Sequence, residues 1–261
     1  MPESRTVRVT RWGILAALLV TWELSGRFSK SFNFLLGTPS SVLSQLLSMT
    51  LSLDIFKDLG VTGAEALGGL LIGTVVGTLA GLTVWLSGSL AAVTRPYVFA
   101  LSSFPIFAIA PLMIVWFGIG IWMKIAFAGL ATVFVAFNQA YEGAHMVSKE
   151  YLELMRAFGA SPWLQFRKIV VPSSIDWVLA ALRVNTGLSL LGAFIGEFVA
   201  SNRGLGHIIT EAAGLYNVPK ALAGACGIVA LAVVFNWLAG MIERGRGRLI
   251  QYVSVPSAVR K

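Results

Sequence analysis

Polar side chains stand inside several hydrophobic runs that are long enough to cross a membrane. One such run, near residues 176–199, contains Arg183 and Glu197. Charge in a bilayer is costly, so each is expected to face protein or water. Arg183 could contact an anion in a solute path; we favour a structural role in which it reaches the cytoplasmic surface or nearby carboxylates. Glu197 lies about 21 Å from Arg183 along a straight helix, so the two cannot pair with each other. Glu197 could instead act as a gate or pair across subunits.

A second run, near residues 97–117, combines hydroxyl groups with prolines. A proline inside a span frees backbone carbonyls that only protein or a water-filled cavity can satisfy, and transporters bind solute at such broken helices. A kink that serves packing alone is the equal alternative. The candidates for lining a solute path are Ser102, Ser103, Phe104, Pro105, Asn185 and Ser189.

Residues 148–172, here called the elbow, form a long polar interruption between apolar runs. We predict two short helices that meet at Gly159, where a glycine suits the left-handed residue after a helix. Ser161 and Pro162 start the second helix, and Pro172 is expected to stop it. The elbow carries both charged and large apolar side chains, which suits docking into a groove on a partner.

The composition indicates an all-α, polytopic membrane protein. The chain has 261 residues, of which 56% are hydrophobic and only 12% charged, against about 25% charged in soluble domains. We predict one domain, residues 1–261, with about six spans. The predicted spans are residues 12–28, 61–86, 97–117, 121–140, 176–199 and 221–241.

Lys and Arg residues concentrate on alternate connections between these spans, the elbow included. The positive-inside rule therefore places the elbow and both termini in the cytoplasm. This distribution explains the net charge of +8 by topology, with no nucleic acid partner.

A glycine repeat in the second predicted span indicates close helix packing. Gly69, Gly73, Gly77 and Gly81 recur every fourth residue. Small residues at this spacing let two helix backbones approach in a membrane. The partner is expected to be another span of the same chain.

Two further segments are predicted to lie outside the membrane. Residues 28–58 contain a helix that starts at Thr38-Pro39-Ser40 and runs to about Leu47, capped by Ser40 or Ser41. Residues 201–219 are read as a re-entrant or surface loop with a short amphipathic stretch. Either segment could receive a solute-delivering protein, and for residues 28–58 a plain connection is the favoured alternative.

The elbow resembles the E-A-A-x3-G-x9-I-x-L-P signature of permease subunits of bacterial ABC importers. Its fixed positions are occupied here by Glu153, Gly159, Ile169 and Pro172, whereas leucine, methionine and valine replace its two alanines and its leucine. Residues 39–42 and 110–120, together with Arg183 and Glu197, look like the nitrate/sulfonate/taurine branch of these permeases.

This resemblance implies a type I ABC permease fold that works as a homodimer with two ABC ATPase subunits and an extracytoplasmic solute-binding protein. It implies a location in the bacterial inner (plasma) membrane, and ATP and Mg bound by the ATPase, with no cofactor on this chain. The solute would be a small anion such as nitrate, a sulfonate or taurine; a pyrimidine vitamin precursor or an aromatic acid is the alternative. The residues that would couple to the ATPase are Glu153, Met155, Arg156, Phe158, Gly159, Ala160, Ile169 and Pro172.

The sequence lacks a G-x4-G-K-[ST] phosphate loop, a nucleophile elbow and paired catalytic carboxylates. We therefore expect no enzyme, and no metal site at the separated His145 and His207. A secondary transporter is the alternative of another class; it would carry an intramembrane ionisable relay and inverted repeats, and the sequence suggests neither. A scaffold without a path is disfavoured by the prolines and hydroxyls near residues 102–105.

Overall fold

The computed structural model describes the backbone of residues 5–253 and the side chains of residues 7–245, and these residues form helices without a strand. A 3₁₀ helix, Ile106–Ile109, and a π-helical turn, Phe166–Val170, interrupt the α-helices. The α-helices are α1 (Arg5–Phe28), α2 (Lys30–Leu36), α3 (Pro39–Leu51), α4 (Asp54–Trp85), α5 (Gly88–Ser102), α6 (Ala110–Phe117), α7 (Ile121–His145), α8 (Lys149–Ala157), α9 (Pro162–Gln165), α10 (Val171–Val199), α11 (Leu205–Gly214) and α12 (Val218–Val253).

Four stretches of helix in the described residues are long and apolar enough to cross a membrane. They cover four of the predicted spans. The stretches are Asp54–Trp85, Ile121–His145, Pro162–Val199 and Val218–Gly245. The predicted first span, residues 12–28, lies within α1, and its crossing of the membrane stays a prediction.

Two bent helix pairs bring the possible number of spans to six. One pair, α2 with α3, is bent by 41° and occupies the segment that the sequence placed outside the membrane. The other covers the predicted span 97–117, which is not one helix. After Ser102 the chain turns by 87° before it continues to Phe117, because Pro105 has no N–H to donate and disfavours helical geometry at Phe104.

The described residues divide into two compact units, residues 5–61 with 202–229 and residues 62–201 with 230–253. In the first unit α3 begins at a capping box. The Thr38 hydroxyl accepts the Ser41 N–H while the Ser41 hydroxyl accepts the Thr38 N–H. The cap is therefore Thr38, not Ser40 or Ser41, and the helix extends to Leu51. Ser40 instead donates through its N–H and hydroxyl to the Glu23 carboxylate.

The second unit is built around α7, which packs against α4 on one side and α10 on another. A methyl group added at Gly77 would fall 2.8 Å from the Ala136 Cβ, closer than such atoms approach. Gly69, Gly73 and Gly81 lie equally tightly against α7. The glycine repeat thus faces another helix of the same chain, and Gly192 of α10 makes the same kind of approach to α7.

Candidate functional site

The elbow begins with α8 and turns sharply at Gly159. Gly159 adopts a φ of +77°, its N–H donates to the Arg156 carbonyl, and the Ala160 N–H donates to the Met155 carbonyl, both at 2.9 Å. This pair of hydrogen bonds is a Schellman motif, in which the residue after the helix is left-handed. The joint therefore depends on glycine at this position.

The second helix of the elbow starts at once. The Ser161 hydroxyl accepts the Leu164 N–H at 3.3 Å, and Pro162 occupies the first turn. The buried Gln165 side chain donates to the Ala160 carbonyl at 2.9 Å, so both backbone groups of Ala160 are bonded. Sequence reasoning did not single out Gln165, since no local pattern marks a side chain that reaches back across a turn.

Pro172 does not end this helix, contrary to the prediction. The chain continues from α9 through the π-helical turn into α10, with the Val171 N–H donating to the Phe166 carbonyl. Pro172 cannot donate an N–H, and its ring would clash with the carbonyl four residues earlier in a regular helix. The wider π turn accommodates it. The second helix of the elbow and α10 therefore form one continuous helical segment, Pro162–Val199.

One side of the elbow is anchored in the second unit. Phe166 stacks on Trp85 of α4, with ring centroids 5.9 Å apart. The core cluster around it joins the elbow to α4 and α7, and Ile169 packs against the same cluster. Its buried members are Leu82, Ala140, Ala144, Val147, Phe166 and Val170.

The other side of the elbow is exposed. Phe158 is 81% exposed and Trp163 is 62% exposed, beside the charged Glu153 and Arg156. Large apolar groups next to charges on a surface are typical of protein–protein contacts. Of the remaining predicted coupling residues, Gly159 and Pro172 are exposed and Met155 and Ala160 are half-buried; Ile169 faces the bundle.

Arg183 pairs with Glu243 of α12. Its Nη2 lies 2.6 Å from the Glu243 Oε2, an ion pair whose angles fall outside hydrogen-bond geometry. Both side chains are about half exposed. The carboxylate comes from α12 and not from the elbow, and the pair supports the structural interpretation of Arg183.

The predicted path residues fall into two groups. Ser102, Ser103, Phe104 and Pro105 are exposed at the bend after α5, where both serine hydroxyls donate back to carbonyls of that helix. Asn185 and Ser189 are buried on α10. Asn185 Nδ2 donates to the Thr74 hydroxyl at 3.2 Å, and the Ser189 hydroxyl donates to the Thr186 carbonyl at 3.0 Å.

An apolar cleft of about 660 Å³ lies between α4, α6 and α7. Its walls include Met113, Trp116, Trp122 and Leu130. The six predicted path residues are not among the residues that line this cleft, and their role in a solute path stays a prediction.

Glu197 finds its partners within the chain. It accepts a hydrogen bond from the Thr62 hydroxyl at 2.6 Å. One turn further along α4 from Thr62, the buried Glu65 pairs with Lys124 of α7 at 3.1 Å. The sequence singled out Glu197 as an intramembrane charge but left its partner open. Thr62 and Glu197, like Glu65 and Lys124, are distant along the chain, so no sequence spacing pairs them.

The two segments predicted to lie outside meet in the first unit. A polar pocket of about 550 Å³, here called the outer pocket, is lined from both segments and includes Asp58, Arg203 and His207. Gly204 donates its N–H to Asp58 at 2.7 Å. At the same pocket, the hydrogen bond from Lys220 holds the pKa of Glu211 below its usual range.

Comparison with known proteins identifies the family to which this architecture belongs. Residues 69–248 match the model of the family described as binding-protein-dependent transport system inner membrane component. The formylaminopyrimidine transport permease protein ThiX of Halalkalibacterium halodurans is 32% identical over 73% of this chain and 75% of its own. The putative aliphatic sulfonates transport permease protein SsuC of Bacillus subtilis is 26% identical over 84% of this chain and 78% of its own.

A solved structure of the MetNI methionine ABC transporter in inward-facing conformations shares the fold. It superposes with a TM-score of 0.65 at 18% identity, covering 75% of this chain and 97% of that one. The chain belongs to the binding-protein-dependent transport family and is the membrane permease subunit of an ABC importer, whose ATPase is a separate subunit.

Proposed function

We propose that the elbow is the part of this permease that docks into the ATPase. The observation that carries the proposal is the division of the elbow into two sides. Phe158 and Trp163 are exposed on one side, while Phe166 and Val170 are buried in the bundle on the other. A partner bound to the exposed side would therefore act directly on α4, α7 and α10.

In the proposed mechanism two copies of this chain associate with two ATPase subunits. ATP and Mg bind to the ATPases, and this chain holds no cofactor. When the ATPases close, each elbow moves with them; because the elbow continues into α10, its displacement tilts the spans. The path then opens alternately to the two sides of the membrane.

The proposed orientation places both termini and the elbow in the cytoplasm of a bacterium, with the outer pocket on the opposite side of its inner membrane. The distribution of Lys and Arg along the sequence supports this orientation. The outer pocket offers Asp58, Arg203 and Glu211 to the solute-binding protein that this family works with.

For the solute we propose a sulfonate or taurine, supported by the likeness to the sulfonate permease of B. subtilis. The alternative that nitrate is the solute is supported by the sequence resemblance alone. A neutral pyrimidine is the second candidate, and a specific observation favours it. Arg183 and Lys124 are both paired with glutamates, so neither cation is presented alone to an anion, and the relative ThiX is named for formylaminopyrimidine.

Uptake into vesicles tests this function. The chain is reconstituted with its ATPase and solute-binding protein and with ATP on the elbow side, and uptake of radiolabelled taurine, an alkanesulfonate and formylaminopyrimidine is compared. ATP-dependent accumulation of a sulfonate supports the first candidate, and accumulation of the pyrimidine alone supports the second. Uptake without the ATPase would contradict the importer mechanism.

A further inference from the structure

One side of α3, in the first unit, exposes a row of leucines. Leu43, Leu47 and Leu51, here called the leucine row, are 57%, 55% and 82% exposed. Residues four apart lie on one side of a helix. The other side of α3 is half-buried, at Val42 and Met49. Single exposed apolar residues are ordinary on a protein surface, whereas a continuous row marks contact with another protein or with a membrane.

The stretch around the leucine row carries no charge. Residues 31–53, which contain α3 and most of α2, include no Asp, Glu, Lys, Arg or His. Lys30 and Asp54 flank this stretch directly. Hot spots of protein interfaces are enriched in Trp, Tyr and Arg, whereas Leu is under-represented there. An uncharged helix whose exposed large apolar side chains are leucines is therefore better suited to lipid than to a protein partner.

Two hydrogen bonds of α3 suit a position at the membrane surface. Thr50 lies beside the leucine row, and its hydroxyl donates to the Leu46 carbonyl at 2.7 Å, so this donor is satisfied without water. At the start of the helix the Ser40 N–H donates at 3.0 Å to the carboxylate of Glu23, which is paired with Arg27. Such charges are costly near the centre of a bilayer. The start of α3 therefore belongs at the level of the lipid headgroups, and α2 and α3 do not cross the membrane together.

The neighbours of α3 also place it at the boundary between membrane and water. Two residues, Ser52 and Leu53, separate it from α4, which begins at Asp54 and is long and apolar enough to cross a membrane. The exposed Ser48 lies next to the leucine row around the helix. Ser52, one turn beyond Ser48, lines the polar outer pocket. The helix thus has an apolar side and, adjacent to it, a side that leads to a polar pocket.

We propose that α3 lies along the membrane surface, with the leucine row buried among lipid acyl chains and Ser48 facing water. Helices with one apolar and one polar side bind in this way at the boundary between headgroups and acyl chains. The contact anchors the first unit, and the outer pocket that α3 helps to line, at the membrane. This inference does not rest on the proposed elbow function, orientation or solute.

Spin labels attached to single cysteines test the position of α3 in the full chain, reconstituted alone into lipid nanodiscs. The variants are Leu43→Cys, Leu47→Cys and Ser48→Cys, each combined with Cys226→Ala because Cys226 is free and exposed. Collisions of each label with oxygen, which concentrates in hydrocarbon, and with a water-soluble nickel chelate are measured. We expect labels at positions 43 and 47 to favour oxygen severalfold relative to the label at position 48. Ser48→Cys is the matched control, since it lies on the same helix and is also exposed.

Two results would overturn the proposal. Labels at positions 43 and 47 that collide with the nickel chelate as readily as the label at position 48 would place the leucine row in water. Labels at these positions that neither reagent reaches would show that a second copy of the chain covers the row. Leu51→Cys supplies a further position if one leucine variant does not insert. Because neither ATPase nor binding protein is present, these outcomes leave the proposed import function untouched.

Discussion

Phe166 of the elbow stacks on Trp85 of α4, with ring centroids 5.9 Å apart and planes inclined by 25°. Phe166 also stacks on the exposed Trp163, at 5.4 Å. The three rings thus connect the exposed side of the elbow to the bundle. In the proposed mechanism, this contact transmits movement of the partner to the spans.

The Phe166→Ala substitution should separate ATP hydrolysis from transport. Truncating a buried phenylalanine costs about 3 kcal/mol of stability, and it would leave the exposed docking side in place. We expect the ATPase to bind and hydrolyse ATP while solute uptake per ATP falls severalfold, measured in proteoliposomes. Trp163→Ala is the control: it should weaken ATPase binding with little effect on stability. A Phe166→Ala variant with unchanged uptake per ATP would refute the anchoring role.

The Gly159→Val substitution should strain the joint of the elbow. A Cβ at Gly159 would meet no atom within 4 Å, so the cost comes from the φ of +77° alone and is about 1 kcal/mol or more. We expect Val to lower transport and ATPase stimulation while membrane insertion is unchanged. Gly159→Asn should retain most activity, because Asn tolerates the left-handed region. Equal activities for the two variants would mean that the left-handed joint does not matter.

Glycine-to-alanine substitutions at two positions of α4, one inside the glycine repeat and one outside it, should change stability in opposite directions. Gly77→Ala should destabilise the fold by about 1–3 kcal/mol, since overpacking forces α4 and α7 apart. Gly60→Ala on the same helix meets no atom within 4 Å and should stabilise it by about 0.5–1 kcal/mol, because alanine favours helix. Denaturant unfolding in detergent measures both. A Gly77→Ala variant as stable as Gly60→Ala would contradict the packing.

The Arg183–Glu243 ion pair predicts matching phenotypes for its two partners. Both side chains are about half exposed, so either Arg183→Gln or Glu243→Gln should cost less than about 1 kcal/mol and leave the apparent KM for solute unchanged. Uptake kinetics distinguish this role from an anion contact. If Arg183→Gln alone raised KM severalfold, Arg183 would bind solute.

Local signals in the sequence predicted the joint of the elbow well. A serine cap, a left-handed glycine and a Ser-Pro restart act between residues close along the chain, so Gly159, Ser161 and Pro162 lie where they were expected. The outcome at Pro172 was not predictable in this way. A proline usually ends a helix, and here a π turn tolerates it beside Phe166 and Val170, which are buried against distant helices.

The glycine repeat indicated close packing from its spacing alone, but nothing in the sequence identified α7 as the partner. The Glu65–Lys124 ion pair and the Thr62–Glu197 hydrogen bond were missed for the same reason. Each joins two different helices, and helical periodicity describes only one helix at a time. Likewise, the prolines near residue 105 indicated an interruption, whereas nothing local to them predicted a bend as large as 87°.

Co-purification with the ATPase asks whether the exposed side of the elbow is the docking surface. We expect Phe158→Glu to abolish capture of the ATPase while the chain still inserts in the membrane. Leu215→Glu, at a 70% exposed position in the first unit, should retain full capture. Undiminished capture by Phe158→Glu, or equal loss with Leu215→Glu, would show that the ATPase docks elsewhere.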